Sequence, residues 1–436
     1  MDKPIQGTAK QPLMNEFQNH NYSLRNYFES IIDEVDAQRI EDMICLDSAD
    51  SVLREFLTIN EMRAAGSFFT GQLLTTAVVG ALPRLVDSES KILDPTCGMG
   101  NLLIECSRSL PISNTLSETL ESWGNTLFGY DLFEVFIEST KLRLILEAIH
   151  RGATKDCSIE KALSCFPGIK QSDAMSLDSQ SLNHITHVVM NPPFSSWDSP
   201  QTDYWKQGKV NAAGVIYDHF VRVLPLDCSV SAILPDVLRT GTRYEEWRGY
   251  AAKRIHADIQ IAGRFSNKTD VDVFIMSGIL TDHSEEQISW FDTTLYDYSI
   301  AHDYEVSIGP LVAYRDPEEG TLAPYIHSKN TPSWETIETF PEHRKFKGRL
   351  ILPPFVVIRR TSSPTDRFRA TGSIINGSCP VAVENHLIVV KPKNSSLRDC
   401  EALLEVLQMP RTNDFLNNRI RCRHLTVAAV KDIAIR

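Results

Sequence analysis

The sequence predicts an α/β fold built on a mostly parallel sheet covered on both faces, and three observations predict it. Short apolar, β-branched runs alternate with longer stretches of helical spacing across residues 92–280, the order of a sheet whose parallel strands are joined by crossover helices. Several of these runs end on a polar side chain, at Asp94, at Asp131, near Asp173 and at Asn191. In open α/β sheets that carboxyl edge is where ligands bind. Finally, His187-Val188-Val189-Met190 stops at Asn191-Pro192-Pro193-Phe194, because two prolines cannot continue a ladder and hold the next residues rigid.

A chain of 436 residues suggests two or three domains with ample material for a core. At 42% apolar and 23% charged residues the composition is that of a soluble globular protein, which excludes a disordered or fibrous one. There is no apolar run of about 18 residues and no signal-like start, so neither a membrane span nor export is expected. The nine cysteines contain no Cys-x-x-Cys pair. Reduced thiols in a cytosolic setting are expected, with no metal site and no disulfide framework. The net charge of −12 is uneven, since residues 341–436 hold 17 Lys+Arg against 8 Asp+Glu. Such asymmetry points to a division of labour, the tail being suited to phosphates.

Taken in order, residues 1–60 read as an N-terminal helical segment. Leu24, Tyr27, Phe28, Ile31 and Ile32 recur at helical spacing, as do Val52, Leu53, Phe56 and Leu57, for a lid on the core or a partner surface. Gly66-Ser67-Phe68-Phe69-Thr70-Gly71 then interrupts the pattern. It is either a helix start with Thr70 as N-cap or a ligand loop whose helix N-terminus favours a carboxylate. Ile92 to Leu103 is strand, glycine turn and helix, with Gly98 and Gly100 allowing close backbone approach. A third glycine at the dinucleotide offset is missing, which favours a nucleoside without phosphates over a pyrophosphate.

The strand Thr126 to Asp131 ends on an acid placed to take both ribose hydroxyls. A covering helix, Phe133 to His150, follows, and Asp173 closes a further short segment. After Phe194 come a helix (Gly214 to Leu224) and strands at Ser229 to Leu234, His256 to Ile261, Val271 to Leu280 and Ile288 to Phe291. A looser stretch, Asp292 to Pro310, contains the expected linker at 294–309. The tail beyond it has more Pro and Arg and shorter strands, with Leu352 to Ile358 flanked by basic residues.

At the tip of the His187 strand, the amide oxygen of Asn191 and the carbonyl of Pro192 are two acceptors beside the flat face of Phe194. That combination suits a planar group carrying an exocyclic NH2.

The order of these motifs resembles the gamma-type adenine-N6 DNA methyltransferases of restriction–modification systems, over roughly residues 62–436. The resemblance implies a Rossmann-like methyltransferase with a mostly parallel seven-stranded sheet at 61–293 and a smaller DNA target-recognition domain at 310–436. Asp94-Pro95-Thr96-Cys97-Gly98-Met99-Gly100 resembles the family's S-adenosylmethionine motif, so Asp94, Pro95, Cys97, Gly98 and Gly100 are expected at the cofactor. Asp131 is expected on its ribose and Asp173 on its adenine, with Asn191 also in reach. Phe69 and Thr70 resemble the loop that touches the methionine carboxylate, though Gly71 stands where that loop has proline. Asn191, Pro192 and Phe194 match the catalytic tetrad. Pro193 and Phe265 are expected on the flipped base, and Arg359, Arg360, Arg421 and Arg423 on DNA. The implied partners are double-stranded DNA and a restriction endonuclease or second recognition subunit, in a prokaryotic cytoplasm. The same tetrad occurs in enzymes that methylate RNA bases or glutamine amides, and a non-catalytic DNA-binding subunit is a fourth reading.

Overall fold

The computed structural model describes residues 10–32, 35–47, 70–266, 269–282, 288–291 and 298–435. The chain divides into two units, Met1–Ser289 and Trp290–Arg436. In the first unit the strands are β1 (Ile92–Asp94), β2 (Leu127–Asp131), β3 (Ile169–Gln171), β4 (His187–Met190), β5 (Ser196–Asp198), β6 (Lys209–Asn211), β7 (Ser229–Pro235), β8 (Ile255–Ser266) and β9 (Thr269–Leu280). Seven of them form one sheet in the order β3-β2-β1-β4-β7-β9-β8, while β5 and β6 pair as a separate hairpin.

The sheet is mixed, which corrects the expectation of a mostly parallel one. Pairings from β3 through β7 are parallel, but β9 runs antiparallel to both β7 and β8. The cause is the connection: only two residues separate the ends of β8 and β9, and a parallel pair needs a crossover of about a dozen or more. The strand expected at Ile288–Phe291 is also absent, those residues having no regular structure. Phe291 serves another purpose, its ring lying 3.7 Å from the Arg419 guanidinium.

The N-terminal helix Lys10–Ser30 starts earlier than its spacing suggested. Leu24, Tyr27, Phe28 and Ile31 are buried, but Ile32 is 84% exposed. It lies along the helix Glu134–His150, where Asn21 Nδ2 donates to Val135 O at 2.9 Å and Arg25 Nε to Glu138 at 2.7 Å. Lys155 Nζ donates to the carbonyls of Phe28 (2.8 Å) and Ile31 (3.0 Å), a cation satisfying the orphan acceptors of a helix end. The periodic residues expected at 52–57 lie outside the described residues.

Glu134–His150 is buried along nearly its whole length, and Arg143 within it is fully buried. An ion there costs several kcal/mol unless it is well bonded. Arg143 meets that cost with four acceptors: Met99 O and Asn101 Oδ1, both at 2.7 Å, and the carbonyls of Ile44 and Cys45, both at 3.1 Å. One side chain thus fastens the end of the helix Ala37–Ile44, the glycine turn after β1 and the start of the helix Asn101–Ser107.

The second unit holds a five-stranded sheet and a three-stranded one. The strand expected from Leu352 begins instead at Phe355 and runs to Arg359, with helix Leu397–Gln408 contributing Cys400, Leu403 and Leu407 to its core. Part of the tail's positive balance is structural. Arg369 is fully buried and donates to Ile420 O (2.9 Å) and Cys422 O (3.2 Å). Arg344 likewise donates to Ala313 O (3.1 Å) and Asp316 O (2.8 Å). Among the described residues no helix is long and apolar enough to cross a membrane.

Arg143→Leu keeps the volume and the apolar stem but strips the donor from four buried acceptors. It is expected to lower the unfolding free energy by roughly 3–5 kcal/mol, measured by urea denaturation of the purified chain.

Candidate active site

Sheet order turns four separate sequence positions into one row. Because β3, β2, β1 and β4 are parallel neighbours, Asp173, Asp131, Asp94 and Asn191 follow one another along the same edge. At ~4.8 Å per strand spacing, the row is roughly 14 Å long. Chain order reverses between β1 and β4, the crevice where open α/β sheets bind ligands. A pocket opens there. All four residues line it, together with Thr70, Pro95, Cys97, Gly98 and Pro193, and with apolar walls from Phe133, Met175, Trp197 and Ile216.

The acidic part of the row is set by the turn after β1. Asp94 is almost fully buried and accepts the Thr96 amide at 3.1 Å. Burial pushes its pKa up to about 8, the Thr96 amide opposing and the nearby Asp131 carboxylate adding to the rise. Asp131 accepts the amides of Gly98 (3.2 Å) and Phe133 (2.9 Å). Burial raises it to about 6 against those two bonds. Gly98 has φ 53°, and its carbonyl accepts the Thr140 hydroxyl at 2.9 Å. Asp173 is exposed and caps the short turn Ala174–Ser176 by accepting the Met175 amide at 2.9 Å.

At the other end of the row, Asn191 Nδ2 donates to the Thr70 hydroxyl at 2.9 Å, and Asn191 O accepts the Thr96 hydroxyl at 3.4 Å. Pro192 is buried and Pro193 half-buried. Phe194 meets Phe265 edge to face, with ring centroids 5.4 Å apart; Phe265 is buried, and neither ring is among the residues lining the pocket. Asn211 holds the turn that follows. Its Nδ2 donates to Phe194 O at 3.1 Å while its Oδ1 caps the helix Ala212–Val223 at Ala213 N, 3.0 Å away.

Two expectations change. Thr70 is not the cap of the next helix; Gly71 occupies that position, and Asp47 accepts the Gln72 amide at 3.1 Å. A Cβ on Gly71 would sit 2.7 Å from the movable Asp47 carboxylate. Gly100 does not line the pocket: at φ 82° it faces Thr140, 2.6 Å from where its Cβ would be. Phe69 lies outside the described residues. Arg359, Arg360, Arg421 and Arg423 all belong to the second unit. There Arg359 Nη2 donates to Thr331 O at 3.0 Å, and Arg423 is exposed. Sequence reasoning missed Trp197, on the pocket wall, and Asn211, which bonds Phe194 O. It also missed Asn101, whose Nδ2 donates to Leu46 O (2.8 Å) and Thr70 O (2.6 Å).

Comparison with known proteins agrees with this geometry. Residues 47–236 match the model of the N-6 DNA Methylase family. None of the curated proteins matches the chain in sequence. Among solved structures, the type IIL restriction-modification enzyme MmeI, in complex with DNA, aligns over 96% of this chain and 79% of its own at 10% identity and a TM-score of 0.57, a likeness of fold. The type IIG restriction endonuclease BpuSI aligns over 98% and 71% at 12% identity and a TM-score of 0.45. A type I restriction enzyme modification subunit from Vibrio vulnificus YJ016 aligns over 64% of this chain at 12% identity and a TM-score of 0.41, and the chain spans 53% of that subunit's length.

The raised Asp94 sets a pH signature. A carboxyl whose folded pKa lies above its unfolded value contributes stability that is full at low pH and lost as pH rises through the folded value, here about 8. Asp94→Asn keeps an oxygen for the Thr96 amide and removes the charge. The ligand-free variant is expected to gain roughly 1–3 kcal/mol over wild type at pH 9, where each pKa unit is worth about 1.4 kcal/mol before screening, and to converge on wild type near pH 4. Denaturation midpoints across that range check it.

Proposed function

We propose that this chain transfers a methyl group from S-adenosylmethionine to N6 of adenine in double-stranded DNA, as the modification component of a restriction–modification system. The observation that carries the reading is the row itself: Asn191 and Pro193 at one end, three carboxylates behind them, and apolar residues in the same pocket lining. The match of residues 47–236 to the N-6 DNA Methylase model supports the same target atom.

The donor set fits S-adenosylmethionine. Asp131, anchored by two backbone amides, suits a ribose diol. Asp173, which lines the same pocket as Phe133 and Met175, suits the cofactor's adenine amine. Asp94, Pro95, Cys97 and Gly98 bound the end where the amino-acid part would lie. S-adenosylmethionine supplies, when bound, an electrophilic methyl group carried on a sulfonium.

The chain's own residues do the rest. Adenine N6 is out of reach inside a duplex, so the base must leave the stack. Phe194 takes its face, a contact worth ~1–3 kcal/mol per base. Asn191 Oδ1 and Pro192 O accept the two amine protons, which concentrates the nitrogen lone pair and stabilises charge as it develops there. The rigid proline pair fixes both acceptors before the base arrives. The second unit serves as the target-recognition domain. Backbone bonds from Arg360 N to His386 O (3.0 Å) and from Ser362 N to Arg423 O (2.8 Å) draw Arg360, His386 and Arg423 to one edge, a basic face suited to backbone phosphates, with Arg421 close in sequence. A second recognition subunit or an endonuclease is the expected partner, in a prokaryotic cytoplasm.

The test is tritium transfer from labelled S-adenosylmethionine to DNA, RNA and protein side by side, for wild type and Asn191→Ala. Label is expected in DNA alone, at N6 of adenine, and the variant is expected to lose it by at least about 100-fold while binding the cofactor nearly as wild type. Label in RNA or protein, or an active variant, contradicts the assignment.

A further inference from the structure

We propose that Thr70 is a positioning residue for the amide of Asn191, held in place from the N-terminal side of the chain through Asn101 and Arg143. The inference rests on the reading of Asn191 as the acceptor of the substrate amine. A primary amide has two ends of opposite character and similar shape, and only the oxygen end can accept an amine proton. A catalytic asparagine therefore needs something that engages its nitrogen. Thr70 Oγ1 does so, accepting from Asn191 Nδ2 at 2.9 Å.

Thr70 is itself fixed. It is 3% exposed, and its carbonyl accepts from Asn101 Nδ2 at 2.6 Å and from the Thr75 hydroxyl at 3.2 Å. The orientation of Asn101 is in turn unambiguous, because Arg143 can only donate and it donates to Asn101 Oδ1 at 2.7 Å. Asn101 Nδ2 then reaches both Thr70 O and Leu46 O. A continuous line of hydrogen bonds thus runs from the carbonyls of residues 44–46 to the catalytic-type amide. Seen this way, the segment ahead of the sheet does more than cover the core. It holds Thr70, and through the Thr70 hydroxyl it sets the position of the Asn191 side chain.

The test compares Thr70→Val and Thr70→Ser with wild type in methyl transfer to DNA, together with cofactor affinity by titration and thermal midpoints. Valine keeps the shape and removes the acceptor; serine keeps the acceptor. Thr70→Val is expected to lower kcat by roughly 10- to 100-fold, with KM and Kd for S-adenosylmethionine within about twofold of wild type, and Thr70→Ser to restore most of the rate. A valine variant with wild-type kcat overturns the proposal, as does one whose loss lies wholly in cofactor affinity, which would make Thr70 a cofactor contact. A wild-type chain that labels no DNA overturns the underlying reading instead, so the two failures are distinguishable.

Discussion

A fully buried guanidinium is tolerated only when most of its donors are bonded, and that requirement organises the binding face of this protein: both terminal nitrogens of Arg143 donate twice, while its Nε has no partner among the described residues. Arg143 sits mid-helix in the core, and its four acceptors belong to two stretches far apart in sequence, residues 44–45 and 99–101. Replacing any of these with an apolar surface would leave a charge in a low-dielectric interior, which costs more than most single packing defects. The glycine turn after β1, the start of the following helix and the end of the N-terminal segment are therefore located relative to one another by one side chain. The pocket is built on that arrangement.

From there the site follows from sheet topology. Parallel strands put their carboxyl ends at one edge, and the reversal of order between β1 and β4 leaves a crevice there. The turn after β1 fills it with amides that bond Asp94 and Asp131, while proline stops β4 so that an amide and a carbonyl are presented. Burial lifts both carboxylates above their ordinary range. The hairpin β5–β6 then returns the chain so that Asn211 clamps Phe194 and begins the next helix.

Much of this was legible in the sequence where the signal is local. The end of β4 is written in its two prolines, and the acid-tipped strands in short apolar runs ending on Asp. What depends on contacts distant in sequence was not. Nothing near Arg143 in sequence reveals that residues 44–45 and 99–101 converge on it. Thr70 looks like a cap because threonine before a helical run usually is one; the carboxylate that accepts the first helical amide, Asp47, lies 25 residues before Gln72. Gly100 was assigned to the ligand because its motif is, whereas its missing side chain makes room for Thr140. The parallel sheet was overextended because β8 and β9 were read as strands without weighing that no crossover separates them.

The central claim, that an amide and a proline carbonyl at the tip of β4 present an extruded adenine for methylation, is tested most directly by mapping modified bases at single-nucleotide resolution. DNA would be taken from a host without adenine methylases that expresses the chain together with its genomic neighbours. The account predicts N6-methyladenine at one recurring sequence context across the genome. Unmodified adenine throughout, or modification confined to cytosine, would contradict it.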